Sequence, residues 1–107
     1  MTTTPLEARV RSTLRAIPDY PKPGIVFQDI TPVLADGPLF REVIEALAQP
    51  FRTAGVTHVL GIEARGFILG GAVAHQVSAG FVPIRKKGKL PFKRVTIGYS
   101  LEYGIDE

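Results

Sequence analysis

The hydrophobic pattern near the N-terminus predicts a first helix. Thr4, Pro5 and Glu7 have the order of an N-cap, a first-turn proline and the acid of a capping box. Apolar residues then recur at helical spacing as far as Ile17. Because Pro18 disfavours helical geometry in the residue before it, we expect this helix to end near Ile17.

A short apolar segment, 25–30, is a candidate strand, and a second helix follows it. Asp36 can cap this helix, and Pro50 should kink it or end it early, since proline removes a backbone donor and crowds the preceding turn. The apolar residues at helical spacing form a wide face: Leu39, Phe40, Val43, Ile44, Leu47 and Phe51.

The segment 57–84 has the pattern of a βαβ unit. A β-rich run, 57–62, precedes an apolar stretch, 66–77, that is long enough for a buried helix, and a short apolar run, 81–84, follows. Such a crossover predicts two parallel strands in one sheet with the helix on a face. Small residues make the helix slim and suited to close packing: Gly70, Gly71, Ala72 and Ala74.

Alternating apolar residues over 95–103 predict a half-buried strand or a β-ribbon near the C-terminus. A doubly wound α/β domain normally has more strands than this pattern supplies, and nothing after residue 84 predicts a helix for the second face of the sheet. We therefore expect an incomplete fold, which is a fragment of a larger domain or needs a partner chain to complete its sheet.

Length and composition limit the class of protein. With 107 residues, 45% of them hydrophobic and 21% charged, the chain is the size of one small folded domain rather than a disordered segment. No apolar run approaches a membrane span and no secretory signal is evident, so a cytoplasmic protein without a membrane partner is expected. There is no cysteine, and two separated histidines, His58 and His75, make a structural zinc site improbable.

The net charge of +3 comes from one cluster. Six of the 13 cations lie within residues 85–94, which contain no acid, whereas the rest of the chain has a net charge of −3. Such a local excess favours a site for an anion over a protein that coats nucleic acid.

The turn Gly61–Gly66 is one candidate anion site. It follows the carboxyl end of a predicted parallel strand and opens a helix, where backbone N–H groups and the positive helix end attract anions. Arg65 adds a planar donor fork suited to phosphate. The alternative is an ordinary βα turn in which Arg65 pairs with Glu63.

The basic segment 85–89 follows the carboxyl end of the next strand, so the fold could bring it beside the first turn. Two cationic loops on one rim suit a polyphosphate. A solvated loop or a nucleic-acid patch is the competing interpretation, although Phe92 is the only aromatic residue near the cluster.

Two other residues, Phe27 and Glu102, each have a functional and a structural interpretation. Phe27 could offer its ring to a planar ligand or belong to the core, and Glu102 could exchange a proton with a substrate or be an ordinary exposed strand residue. Both histidines are interpreted as structural.

Together these segments resemble the adenine phosphoribosyltransferase family, which has the type I phosphoribosyltransferase fold. Four ordered blocks carry the resemblance: PDYPKPGIVFQDI at 18–30, GIEARGFILG at 61–70, VPIRKKGKLP at 82–91 and YSLEYG at 99–104. The resemblance implies an α/β fold with an incomplete parallel sheet, as a single partial domain. Residues 1–35 would form an N-terminal helical hood for adenine, and residues 36–107 a partial core with a mobile loop.

The activity implied by this resemblance is transfer of a phosphoribosyl group from 5-phosphoribosyl 1-pyrophosphate to N9 of adenine, giving AMP and pyrophosphate. Mg²⁺ would be bound through the pyrophosphate substrate, and the full-length protein would be a homodimer. By the same resemblance Val26, Phe27 and Gln28 would line the adenine pocket, with Phe27 stacking and backbone groups reading the ring edge.

The resemblance also implies a pyrophosphate site and a closing loop. Glu63, Ala64 and Arg65 match the pyrophosphate loop, where a non-proline cis peptide is expected between the first two. Arg85, Lys86 and Lys89 would approach the pyrophosphate, partly across a dimer interface. Glu102 and Tyr103 would lie on the mobile loop. Arg65 and Glu102 would be catalytic, with Glu102 managing the proton near adenine N7.

One departure from the family pattern concerns activity. In the family, two adjacent acidic residues followed by Ala-Thr-Gly-Gly-Thr bind the ribose and the 5′-phosphate. That segment is absent from this sequence. We therefore expect the 107-residue chain to be inactive alone. The alternatives are a non-catalytic purine- or anion-binding or regulatory fragment, and nucleic-acid binding through residues 85–94.

Overall fold

The computed structural model describes residues 4–86 and, as main chain, residues 99–101 and 104–106. The chain groups into two compact units, Met1–Pro50 and Phe51–Glu107. The division expected from the sequence, at residue 35 within one partial domain, stays a prediction.

The first unit contains three helices and a two-stranded sheet. Its elements are α1 (Pro5–Thr13), β1 (Arg15–Pro18), β2 (Val26–Asp29), α2 (Thr31–Ala35) and α3 (Gly37–Ala48), and a 3-10 turn (Gln49–Phe51) follows α3.

The start of α1 is as predicted, but its end is not. The Thr4 hydroxyl accepts a hydrogen bond from the Glu7 N–H at 3.1 Å, which confirms the N-cap. The expectation that the helix reaches Ile17 is wrong, because α1 ends at Thr13 and residues 15–18 form β1. Pairing with β2 overrides the helical spacing: Ile17 lies opposite Phe27 in the sheet.

The two strands of the first unit form an antiparallel hairpin, which confirms the strand predicted within 25–30. Its register runs from Arg15 opposite Asp29 to Pro18 opposite Val26. In the connecting loop, Gly24 has a φ of 89°, a conformation that favours glycine, and its N–H donates to the Asp19 carboxylate at 3.0 Å.

The second predicted helix is confirmed as α3. The Asp36 carboxylate accepts from the Leu39 N–H at 3.1 Å, and the helix ends at Ala48, two residues before Pro50. The short helix α2 was not predicted. The buried apolar side chains of this unit are Val33, Leu39, Ile44 and Ala48.

The second unit is built on the predicted βαβ arrangement. Its elements are β3 (His58–Ile62), α4 (Arg65–Gln76) and β4 (Gly80–Ile84). The two strands are parallel, with a register that runs from His58 opposite Gly80 to Ile62 opposite Ile84. This confirms both the crossover and the parallel pairing.

Close packing of α4 on β3 depends on glycine. A Cβ at Gly61 would lie 2.4 Å from the Gly66 carbonyl oxygen and 2.6 Å from the Phe81 ring, and one at Gly70 would lie 2.7 Å from the same ring. Gly71, by contrast, has nothing within 4 Å of such a Cβ. The expectation of a slim contact face therefore holds at Gly70 and not at Gly71.

The face of the sheet opposite α4 is apolar and exposed. Because side chains alternate along a strand, the residues that flank Gly61 and Phe81 point away from the helix. The exposed apolar side chains there are Leu60, Ile62, Val82 and Ile84.

A short antiparallel pair follows in the second unit: β5 (Tyr99–Leu101) and β6 (Gly104–Asp106). It confirms a β-ribbon in this part of the predicted alternating segment, of which residues 95–98 and 102–103 lie outside the described residues. Among the described helices, none has the length and apolar character required to traverse a lipid bilayer.

Candidate functional site

The carboxyl ends of β3 and β4 lie side by side, as the sequence predicted for the two candidate anion-binding loops. Ile62 and Ile84 are paired in the parallel register, and the Glu63 N–H donates to the Ile84 carbonyl oxygen at 3.0 Å. The turn after β3 and the basic segment after β4 therefore begin at one edge of the sheet.

A second hydrogen bond ties the two loops together. The Glu63 carboxylate accepts from the main-chain N–H of Lys86. Glu63 is half-buried, whereas Arg85 and Lys86 are exposed. These two hydrogen bonds hold the main chain at the start of the basic segment, while the side chains of Arg85 and Lys86 stay exposed.

The turn after β3 leads directly into α4. The helix begins at Arg65, and no side chain caps its N-terminus at Ala64. Its first N–H groups and the exposed Arg65 side chain therefore lie at the same strand end, where the partial positive charge of a helix start favours an anion. The peptide bond between Glu63 and Ala64 is cis, as expected from the family resemblance.

Aromatic contacts direct Arg85 toward this helix. The Arg85 guanidinium carbon lies 6.0 Å from the centroid of the Phe67 ring, within the range of a cation–π interaction. Phe67 in turn meets Phe81 edge-to-face, with ring centroids 5.9 Å apart. Arg85 thus lies over the first turn of α4, the element that begins with Arg65, which brings two arginines to this edge of the sheet.

The residues predicted to line an adenine pocket lie on β2, in the first unit. Val26 and Gln28 share one face of the strand and Phe27 points to the other, because side chains alternate. Val26 is 56% exposed. Phe27 is half-buried and meets Tyr20 edge-to-face, with ring centroids 5.2 Å apart. The three side chains therefore do not form one continuous wall, and the Phe27 face is the one on which the ring contact with Tyr20 lies.

Asp29 was missed by sequence reasoning, although it holds the end of this strand. Its carboxylate accepts from the Thr31 N–H at 2.9 Å and from the Thr31 hydroxyl at 2.8 Å. It also pairs with the Arg15 guanidinium at 3.5 Å. The signal was available, since an aspartate two residues before a Thr-Pro helix start is a typical side-chain-to-backbone turn.

Other predicted site residues lie outside the described part of the chain: Lys89, Glu102 and Tyr103. Their roles stay predictions. Within residues 4–86, 99–101 and 104–106, no three His, Asp or Glu side chains come together as a metal site would require.

Comparison with known proteins gives close matches along most of the chain. It is 63% identical over 98 residues to adenine phosphoribosyltransferase of Bradyrhizobium sp. (strain ORS 278), covering 92% of this chain and 55% of that protein. No protein-family model matches.

Solved structures match in the same way. The adenine phosphoribosyltransferase of Rhodothermus marinus is 55% identical with a TM-score of 0.84, covering 94% of this chain and 57% of that one. The Saccharomyces cerevisiae enzyme, complexed with adenine and D-2,5-dideoxy-2,5-imino-altritol 1,6-bisphosphate, is 34% identical with a TM-score of 0.82, covering 94% of this chain and 60% of that one.

These matches agree in sequence and in backbone, and they extend over more than nine-tenths of the chain. The chain spans about half the length of the curated relatives that it matches. The chain is thus similar, in sequence and in backbone, to about half of each of these adenine phosphoribosyltransferases.

Proposed function

We propose that this chain forms the adenine- and pyrophosphate-binding part of an adenine phosphoribosyltransferase, which converts adenine and 5-phosphoribosyl 1-pyrophosphate to AMP and pyrophosphate. The observation that carries the proposal is the joined edge of β3 and β4, where Arg65, Arg85 and Lys86 lie on neighbouring loops. Similarity to adenine phosphoribosyltransferases suggests the reaction.

The joined edge suits the chemistry of the leaving group. As the bond to the ribose carbon breaks, pyrophosphate gains negative charge and the sugar becomes cationic. Fixed guanidinium and ammonium groups and helix N–H donors around the pyrophosphate then stabilise the transition state more than the bound substrate. Arg65 and Arg85 would serve as such donors, with Lys86 and Lys89 adding charge.

The adenine end of the reaction is assigned to β2. Phe27 would stack on the purine ring, and main-chain groups of Val26 and Gln28 would read its edge, because a strand presents donors and acceptors along each side. The yeast relative, which is complexed with adenine, supports a purine ligand. Glu102 and Tyr103 would belong to a loop that closes over the site, where Glu102 would exchange the proton near adenine N7.

Magnesium would enter with the substrate. Its preferred ligands are oxygen atoms, and a pyrophosphate supplies several of them, whereas the described residues contain no cluster of acidic or histidine side chains. Arg65 and Arg85 would then bind the outer oxygens of the metal-bound pyrophosphate.

The assembly and the location are also part of the proposal. We expect the full-length protein to be a cytoplasmic homodimer, in which Arg85, Lys86 and Lys89 approach the pyrophosphate partly across the dimer interface. Sedimentation analysis of the full-length protein tests this, and a monomer at all working concentrations would contradict it.

A non-catalytic binding fragment is the second candidate function. It is favoured by the joined edge of β3 and β4, which suits anion binding whether or not a reaction follows. Binding of adenine and pyrophosphate by the 107 residues without AMP formation would support it, whereas turnover by these residues alone would exclude it.

Calorimetric titration of the chain with pyrophosphate, beside an assay of AMP formation, tests the assignment of the anion site. Substitution Arg85→Ala should weaken pyrophosphate binding by about tenfold or more, because a hydrogen bond to a charged group contributes roughly 1.5–3 kcal/mol. Arg41→Ala is the matched control, since Arg41 is an exposed arginine on α3 that pairs with Glu45. Equal losses in the two variants, or no binding by the unsubstituted chain, would refute the site.

A further inference from the structure

The negative charge of Glu63 is unfavourable at an anion site. Glu63 places this charge at the edge where a pyrophosphate is proposed to bind, and like charges in such a place reduce affinity. The structure shows a different use for the carboxylate, because one of its oxygens accepts the main-chain N–H of Lys86.

The position of this hydrogen bond follows from the parallel ladder. In a parallel pair, a residue that donates to one carbonyl of its partner strand accepts, through its own carbonyl, from the N–H two residues further along that strand. The Glu63 N–H donates to the Ile84 carbonyl oxygen, so the next bond of the ladder would join the Lys86 N–H to the Glu63 main-chain carbonyl. The carboxylate oxygen of Glu63 is found in that place instead.

The chain changes direction at this residue. Strand β3 ends at Ile62 and α4 begins at Arg65, so the main chain turns toward the helix just after the Glu63 N–H bonds to Ile84. A side-chain acceptor of suitable length allows the pairing to continue for one more step while the backbone turns into the helix.

We propose that Glu63 is a positioning residue, whose carboxylate replaces its own main-chain carbonyl in the β3–β4 ladder and thereby fixes the start of the basic loop beside Arg65. The inference rests on the proposed function for its ligand, but the hydrogen bond itself does not. Arg85 lies between the two anchored residues, Ile84 and Lys86, so the direction of its guanidinium toward Phe67 depends on the same bond.

Three substitutions separate positioning from charge. Glu63→Gln removes the charge and keeps an acceptor oxygen at the same reach, whereas Glu63→Ala removes the same charge and the acceptor. Glu63→Asp keeps the charge and shortens the reach by one methylene. Glu45→Ala, which removes an exposed acid from α3, controls for the change in net charge.

Amide hydrogen exchange measured by NMR tests directly for the hydrogen bond between the Lys86 N–H and the Glu63 carboxylate. The Lys86 N–H should exchange about tenfold faster in the Ala and Asp variants, and within about threefold of the original rate in the Gln and Glu45→Ala variants. If the Ala variant does not fold, the Asp and Gln variants give the same comparison. Equal Lys86 exchange rates in the original chain and the Asp variant would overturn the proposal.

Calorimetry with pyrophosphate tests the consequence for the ligand. Glu63→Gln should bind pyrophosphate as well as the original chain or more tightly, while Glu63→Ala should bind about five- to tenfold more weakly, at the level that a lost hydrogen bond implies. Equal shifts in the two variants would show that Glu63 acts by charge alone and would overturn the positioning role. If the original chain binds no pyrophosphate, the proposed function fails, and the exchange rates still decide whether Glu63 holds the loop.

Discussion

The two compact units differ in how they bury apolar side chains. Among the described residues, four of the five buried hydrophobic side chains belong to the first unit, and Ala74 alone belongs to the second. The first unit places its buried residues on α2 and α3, whose faces pack together. The second unit instead relies on one helix against one face of a two-stranded sheet.

The difference teaches where stability and chemistry lie in this chain. The first unit has a small core of its own, while the second has an exposed apolar sheet face and also carries the candidate pyrophosphate site. The geometry of that site therefore depends on a few specific contacts rather than on a large core. These are the glycine contacts under α4, the Phe67–Phe81 pair and the hydrogen bond of the Glu63 carboxylate.

The largest expected effect is a loss of stability in the first unit. Leu39 is 1% exposed, so Leu39→Ala should lower the free energy of unfolding by about 2–5 kcal/mol through lost burial and a cavity. Urea denaturation followed by circular dichroism measures this change. Leu47→Ala on the same helix is the control, since Leu47 is 45% exposed and should cost far less. Equal costs at the two positions would refute the core assigned to this unit.

An intermediate effect is expected where α4 meets β3. Gly61→Ala would place a Cβ against the Gly66 carbonyl and the Phe81 ring, and such overpacking costs about 1–3 kcal/mol. Because α4 begins beside the strand end, pyrophosphate binding should weaken as well. Urea denaturation and calorimetry provide the two measurements.

The control for this substitution is Gly71→Ala on the same helix. A Cβ at Gly71 would meet nothing within 4 Å, so alanine should stabilise the helix by about 0.5–1 kcal/mol. If Gly71→Ala were destabilising and Gly61→Ala neutral, the close contact between α4 and β3 at Gly61 would be contradicted.

The smallest expected effect is a change of stability at the exposed apolar face of the sheet in the second unit. Leu60 is 61% exposed, so Leu60→Thr should change the free energy of unfolding by no more than about 0.5 kcal/mol, because threonine suits a strand and little burial is lost. The same denaturation experiment applies. A loss comparable to that of Leu39→Ala would mean that this face is covered in solution and that the contrast between the units is smaller than described.

The sequence by itself determined the features that depend on near neighbours. Thr4 and Asp36 mark helix starts because a short polar side chain can cap only the N–H groups two or three residues ahead. Pro50 ends α3 for a similarly local reason. The order strand, helix, strand over 57–84 was also recognisable, and parallel pairing follows from the length of the crossover.

The same reasoning correctly placed the two candidate anion-binding loops at one edge of the sheet. The carboxyl ends of adjacent parallel strands coincide, so the positions of Arg65 and Arg85 could be inferred before any coordinates. The helical spacing up to Ile17 led to an error, because a periodic pattern does not reveal that β2 competes for the same residues.

Only the tertiary structure decided contacts between residues that are distant along the chain. It distinguished Gly70, which lies under the Phe81 ring, from its neighbour Gly71, which meets nothing. It also assigned the Glu63 carboxylate to the Lys86 N–H. Spacing and propensity describe each segment alone, whereas these contacts depend on strand register and on how closely a helix approaches a sheet, and both are set when the segments pack.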